Sequence, residues 1–247
     1  MVRVEWNGVE QVNRAPSDPA WEKWRACEPT SPHWYDLARF ERYIAAHVSR
    51  DQDQGRERIV RKFITEFRGF CGTAKQKLVL DETGLARASL SSFFGSGGEP
   101  KTVEMEHLLR ALKTHSTPVK PKDLGLIGKD HLLACFKEAG VEAETFRYQK
   151  AFGKTDGLPW VVETAFGWRP NLNLDSRRII VGVNWSVGLG NPFRSFSRCG
   201  GEGLEALLAD RRAGRNGPII FVLHYACPRA AYTDRGKPAI ILPEGRQ

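Results

Sequence analysis

The order of apolar and polar positions changes character twice along the chain. Val2, Val4 and Trp6 alternate with Arg3 and Glu5, the pattern of a half-buried strand, and Asn7-Gly8 reads as a turn behind it. A strand this short needs something to pair with. A stretch dotted with proline and tryptophan follows (Pro16, Pro19, Trp21, Trp24, Pro29, Pro32, Trp34) and reads as a linker that packs on a neighbour. From Asp36 the period becomes helical: Leu37, Phe40, Ile44 and Val48 recur on one face, with Asp36 as N-cap. The spacing predicts a second helix over 56–70, with Ile59, Val60, Phe63, Ile64 and Phe67 inward and Gly69 and Gly72 ending it. Further helices are predicted over 74–80, closed by Gly84, and over 89–94 and 103–113, the last two separated by a flexible Gly95-Ser96-Gly97-Gly98 loop. Short helices joined by glycine turns make a small all-helical module.

The second change comes after an extended connector, Thr117 to Pro121, where each residue before proline is pushed out of the helical region. One amphipathic helix is expected over 128–138, with Leu132, Leu133 and Phe136 inward. Strand patterns then cover 160–166, 178–185 and 218–224, and a helix over 203–212 separates the last two. Strand, strand, helix, strand implies an α/β sheet crossed by a helix, and such crossovers are nearly always right-handed. The fold class expected is therefore α+β or α/β: a helical module, then a sheet with a right-handed β-α-β crossover. No internal repeat or low-complexity run is present.

Charge changes this picture locally. The formal net charge is +8, and residues 147–247 hold 15 Lys/Arg against 8 Asp/Glu, while residues 1–146 hold 22 against 21. Within the first part, Arg56 to Lys77 carries seven positive and two negative side chains. Local excess of this kind fits a polyphosphate partner, double-stranded DNA first, through counterion release; it also fits an ordinary mildly basic protein. At the turn Gly72-Thr73-Ala74-Lys75-Gln76-Lys77, a helix N-terminus beside Thr73, Lys75 and Lys77 could hold a DNA phosphate, or be a solvated basic turn. No apolar run approaches the roughly twenty residues of a membrane helix. Five cysteines (Cys27, Cys71, Cys135, Cys199, Cys227) lie far apart and without zinc-ligand spacing, as expected of buried free thiols in a reducing, cytoplasmic compartment. His33-Trp34-Tyr35-Asp36 has no nucleophile at a recognisable spacing and reads as a structural approach to the first helix.

The segment with the most chemistry runs from Phe221 to Ile240. A buried strand delivers the chain into a loop tipped by Thr233-Asp234-Arg235-Gly236-Lys237, which offers a hydroxyl, a glycine and a mobile ammonium suited to sensing a terminal phosphate. On the residues alone, a solvated surface loop with an ordinary lysine is the more ordinary reading. This segment resembles the switch-loop region of the transducer domain in topoisomerase VI B subunits, where an apolar strand and histidine-containing turn lead to aromatic-Thr/Ser-x-x-Gly-Lys. Three more stretches are similar in order and spacing: Thr117 to Leu133, with Pro118, Pro121, Leu124, Ile127, Gly128 and Leu132; Leu158 to Gly167, including Pro159-Trp160-Val161-Val162-Glu163; and Val183-Asn184-Trp185 through Asn191-Pro192-Phe193, which carries an asparagine characteristic of that family. The resemblance covers roughly residues 56–247, with 56–116 in the place of the family's helix–two-turns–helix domain.

The resemblance implies three parts: residues 1–55 as the last strand of an ATPase domain plus linker, 56–116 as the helical module, and 117–247 as a transducer domain of the ribosomal S5 domain 2 type. It implies that Lys237 is the switch lysine reaching a nucleotide γ-phosphate, with Gly236 as its hinge and Thr233 at the loop start. It further implies a GHKL-type ATPase domain as partner, supplied by a missing or separate segment, a homodimer formed through that domain, DNA between the protomers and a topoisomerase A-like cleavage subunit. Three departures qualify this. No nucleotide-binding segment precedes the module, so ATP and magnesium are cofactors only with that domain, and no enzyme activity is expected of the chain alone. Pro238 restricts Lys237 to extended conformations. The chain also stops at Gln247, where the family continues into a docking helix. The expected function is a non-catalytic relay of ATP state; the alternatives are a stand-alone DNA-binding module or the remnant of a truncated or split gene, Met1 then lying inside a longer reading frame.

Overall fold

The computed structural model describes residues 2–14, 30–170, 177–188, 190–194, 203–233 and 239–241. The first strand, β1 (Val2–Trp6), pairs antiparallel with the segment that directly follows it, β2 (Val9–Arg14). Asn7 and Gly8 turn the chain between them, both at positive φ (52° and 75°), as the tightest hairpin turns require. The pairing partner of this short strand is thus local. Most of the proline- and tryptophan-rich stretch, residues 15–29, lies outside the described residues.

Helices make the next layer. The Asp36 carboxylate accepts a hydrogen bond from the Arg39 amide at 2.9 Å and caps α1 (Leu37–Asp53), which buries Phe40 and Ile44. The helix runs past Val48 because Asp51 is buried against the Arg58 guanidinium, at 2.7 and 3.0 Å. The single helix expected over 56–70 is not formed: α2 covers only Val60–Ile64. The Val60 amide donates to the Ala88 carbonyl (2.9 Å) and the Leu90 amide to that of Arg58 (2.7 Å), so this stretch is bridged to 88–90 before the helix can start. Ile59, expected inward, is 47% exposed on this bridge. α3 (Thr73–Thr83), closed by Gly84, and α4 (Thr102–Thr114) complete the unit, with a 3-10 turn at Leu90–Phe93. The glycine loop after it is a tight turn, the Gly98 amide donating to Gly95 and that of Gly95 to Glu99, not a flexible linker. Phe63, Phe67, Val79, Leu80, Leu108 and Leu112 form one core with Phe40 and Ile44. Residues 37–53, helical by pattern but placed with the linker by the resemblance, pack Phe40 and Ile44 into the helical core.

A mixed five-stranded sheet makes the third part. α5 (Lys129–Glu138) precedes β3 (Arg147–Thr155) and β4 (Leu158–Trp168), a hairpin across Asp156-Gly157 that the strand pattern did not reveal. β5 (Arg178–Val183) turns at Asn184-Trp185 into β6 (Ser186–Val187). Those two residues, expected inside the strand, have φ of 49° and 66° and belong to the turn. α6 (Leu204–Asp210) then leads to β7 (Ile219–Ala226), which lies parallel to β5 and antiparallel to β4. The order is β3-β4-β7-β5-β6, and a separate ribbon pairs β8 (Ala231–Tyr232) with β9 (Ile240–Ile241).

Strand alternation sends side chains to two faces. Ile219, Leu223 and Tyr225 of β7 pack with Val181, Leu204 and Leu208 on the α6 side. Ile220 and Val222 pack with Ala165, Leu132 and Phe136 on the α5 side, where Leu133 is only partly buried. β4 and β7 are the buried middle of the sheet because both their faces are covered.

Candidate functional site

The carboxyl ends of the parallel strands β5 and β7 lie side by side, and their turns are stitched together. The Asn184 amide donates to the Tyr225 carbonyl (2.9 Å), and the Asn184 side-chain oxygen accepts from the Cys227 amide (2.8 Å). An asparagine tolerates the left-handed conformation of this turn and supplies the acceptor that β7 needs as it leaves the sheet. Just beyond, β8 and β9 form the base of the loop that carries the sequence-predicted switch residues. Thr233 is exposed at its start, and its amide donates to the Ala239 carbonyl at 3.0 Å, closing the loop. The Ile240 amide donates to the Pro192 carbonyl at 2.8 Å and ties the ribbon to the β6–α6 connection. Gly236, Lys237 and Pro238 lie outside the described residues.

One turn of strand further in is a polar network that the sequence pattern does not single out. Glu163 of β4 and His224 of β7 are directly opposed in the ladder and nearly without exposure (0% and 2%). Glu163 Oε2 accepts from His224 Nδ1 (3.1 Å) and from the Ile127 amide (2.9 Å). Its Oε1 accepts from the Gly128 amide (2.9 Å) and the Tyr148 hydroxyl (2.8 Å). The Trp185 amide donates to His224 Nε2 at 3.3 Å, and its ring lies 4.7 Å from the imidazole. The tautomer with its proton on Nδ1 satisfies both contacts of the ring.

This carboxylate faces two opposing influences. Burial, the largest, raises its pKa; the bonds from His224, Gly128, Ile127 and Tyr148 lower it, and together they win, so the group sits below the usual carboxylate range. Burial and the neighbouring carboxylate push the Tyr148 phenol upward, which keeps it a donor. Gly128 takes φ 89° as the N-cap of α5, a conformation that suits glycine, and Glu163 receives its amide across the interface. The network therefore joins α5, the three strands β3, β4 and β7, and the Asn184-Trp185 turn. Glu163 and His224 each fall inside quoted sequence motifs, but nothing in a 61-residue separation announces their contact.

The other predicted residues are elsewhere. Thr73, Lys75 and Lys77 are all exposed on the first turns of α3. Between the lysines sits Gln76, buried and donating to the Phe70 carbonyl at 2.7 Å. Positions one residue apart diverge by about 100° on a helix, so Lys75 and Lys77 flank this buried stripe on opposite sides and do not share one face. A cleft of about 160 Å³ lies beside the end of α1, where Arg58 is paired with Asp51 and Glu66, and Glu57 accepts from the Ser91 hydroxyl. Of the three described cysteines, Cys227 is buried, Cys135 half-buried and Cys71 exposed, so burial is not general to the thiols. Among the described residues no group of three metal-ligating side chains occurs, and no helix is long and apolar enough to cross a membrane.

No protein-family model and no curated relative matches this chain. Among solved structures, the B subunit of the DNA gyrase from Myxococcus xanthus is similar at a TM-score of 0.30 and 16% identity, over 46% of this chain and 33% of that one. The chain thus spans about a third of the gyrase subunit's length.

Proposed function

We propose that this chain is the transducing part of a topoisomerase VI B-like, GHKL-type ATPase, relaying nucleotide state to a DNA-processing partner. The observation that carries the reading is the placement of Thr233. It opens a loop closed at its base by the Thr233–Ala239 bond, directly after β8 and seven residues beyond the end of β7, which is paired in the sheet on both sides. A lysine at 237, between the bonded positions 233 and 239, would be presented from a fixed base, as a side chain that reports a terminal phosphate requires. Movement of the loop would pull on β7, and through His224 and Glu163 on the start of α5. In this reading the β5–α6–β7 connection is the right-handed crossover of a ribosomal S5 domain 2-like fold. ATP and magnesium are bound by a GHKL domain on another segment, and the chain alone does not hydrolyse ATP. Dimerisation would come through that domain, and a topoisomerase A-like subunit is the candidate receiver.

The test is co-expression with an ATPase-encoding segment found beside this gene. Magnesium-dependent turnover should be absent from the purified chain and present in the pair. Lys237→Ala should lower turnover of the pair by roughly tenfold to a hundredfold, the worth of one charge-assisted contact to phosphate. ATP hydrolysis by the chain alone would refute the reading, as would a pair indifferent to Lys237. The exposure of Thr73, Lys75 and Lys77 is the observation behind a second reading, a stand-alone DNA-binding module, in which the two lysines, on different faces of α3, would meet different phosphates. That reading requires salt-dependent duplex binding that disappears when both lysines are neutralised.

A further inference from the structure

We propose that the outer edge of β3 is a docking site for an acidic, extended peptide segment of a partner protein, taken up as an added strand. The two edges of the five-stranded sheet differ sharply. β6 presents only two residues, whereas β3 runs for nine, paired to β4 from Arg147–Phe166 to Thr155–Leu158 without a register shift. Nothing interrupts it: β3 contains no proline and no bulge, the usual devices that blunt an edge.

The hairpin turn fixes which backbone groups are available. Asp156 and Gly157 both have positive φ (50° and 78°), the two-residue turn in which the flanking pair, Thr155 and Leu158, exchanges hydrogen bonds. Alternation along the ladder then points Arg147, Gln149, Ala151 and Gly153 at β4. The amides and carbonyls of Tyr148, Lys150, Phe152 and Lys154 point outward, a row spaced for one more strand. None of these outward amides donates to another described segment.

Side-chain chemistry selects the occupant. Lys150, Phe152 and Lys154 are exposed, and Phe152 is 42% accessible with the Lys150 ammonium 5.6 Å from its ring centre. β3 carries three cationic residues and no acidic one. A second copy of this chain would bring lysines against lysines, because like charges opposed across a ladder are unfavourable. Because Lys150, Phe152 and Lys154 share one face of the strand, an incoming strand with an apolar residue flanked two positions away on each side by acidic ones would meet the lysines with its carboxylates and cover Phe152, while the backbone supplies affinity independent of exact sequence.

The probe is a fluorescein-labelled peptide of the repeat Glu-Thr-Val-Thr, which puts glutamate and valine in turn on one face, titrated against the full chain and followed by fluorescence anisotropy. Binding that weakens with salt, fails for the same peptide N-methylated at every residue, and weakens about tenfold in the Lys150→Glu/Lys154→Glu variant supports the proposal. Thermal melting of that variant establishes that it remains folded. Equal binding of the N-methylated peptide overturns it, since charge alone would then account for capture. So does absence of binding at low salt. Duplex DNA that binds in competition with the peptide and loses affinity with the same two substitutions would assign this edge to nucleic acid instead, and concentration-dependent self-association lost in the variant would assign it to a second copy.

Discussion

Glu163 holds four hydrogen bonds on two oxygens in a place without solvent, and that completeness makes the site brittle. Removing the carboxylate strands the Ile127 and Gly128 amides, the Tyr148 hydroxyl and the His224 ring together. Glu163→Ala should therefore cost about 3–5 kcal/mol of stability, read from urea denaturation. A loss of about 0.5 kcal/mol or less, the scatter of an exposed substitution, would mean that the network does not hold α5 to the strands. The pH dependence has a definite sign. Because the folded carboxyl titrates below its unfolded value of about 4.3, the unfolded chain takes up the proton first on acidification. The contribution of Glu163 is thus fully present above that value and is lost as pH falls through the lower folded one. Glu163→Gln should flatten the acid limb of a plot of urea midpoint against pH, even though it also lowers stability near neutrality. None of this could be read from the sequence. A glutamate in a strand pattern and a histidine 61 residues later become partners only when β4 and β7 are set side by side in register.

At the scale of elements, the legible parts are those whose signals are local. The Asp36 cap is written in one residue type before an apolar helical stripe, and the structure has that bond at 2.9 Å. Asp36→Ala should lower stability by about 1 kcal/mol in the transition of the helical unit, the ordinary worth of an N-cap; an unchanged urea midpoint would contradict the role. The strand β7 is equally plain, since a short apolar run rich in β-branched residues and bounded by turn signals is the pattern of a buried strand. β3 is hidden because both of its faces are largely exposed, Lys150 and Ala151 alike, so no apolar–polar alternation marks it, although Asp156-Gly157 is a strong hairpin signal. Residues 56–59 read as helix for the opposite reason: their local pattern is helical, and only the long-range bridge to 88–90 overrides it. Packing between elements leaves a trace of its own at Gly167. A Cβ there would come within 2.3 Å of Val141 Cγ1 and 3.0 Å of Phe136 Cδ1, so this glycine is what lets β4 lie against α5. Gly167→Val should destabilise by about 1–3 kcal/mol through overpacking, measured by thermal melting against wild type.

At the scale of the whole molecule, two cores share one chain. Phe40 to Leu112 supply the helical core, and Leu132 to Ile240 supply the two faces of the sheet. Among the described residues the polar contacts that cross between them are long: Arg68 to Asp123 at 3.5 Å, and Arg229 to the Trp34 carbonyl at 3.5 Å and to Asp36 at 3.6 Å. Exposed pairs of this kind contribute between nothing and about 1 kcal/mol each. Apolar burial within each core is far larger, so the cores should open separately. We expect two transitions in urea, seen by following tryptophan fluorescence and far-ultraviolet circular dichroism together. Phe63→Ala should lower only the helical transition, by about 3–5 kcal/mol, and Leu223→Ala only that of the sheet, by about 2–5 kcal/mol. If either substitution moved both transitions equally, the seam would have to carry far more energy than these contacts supply.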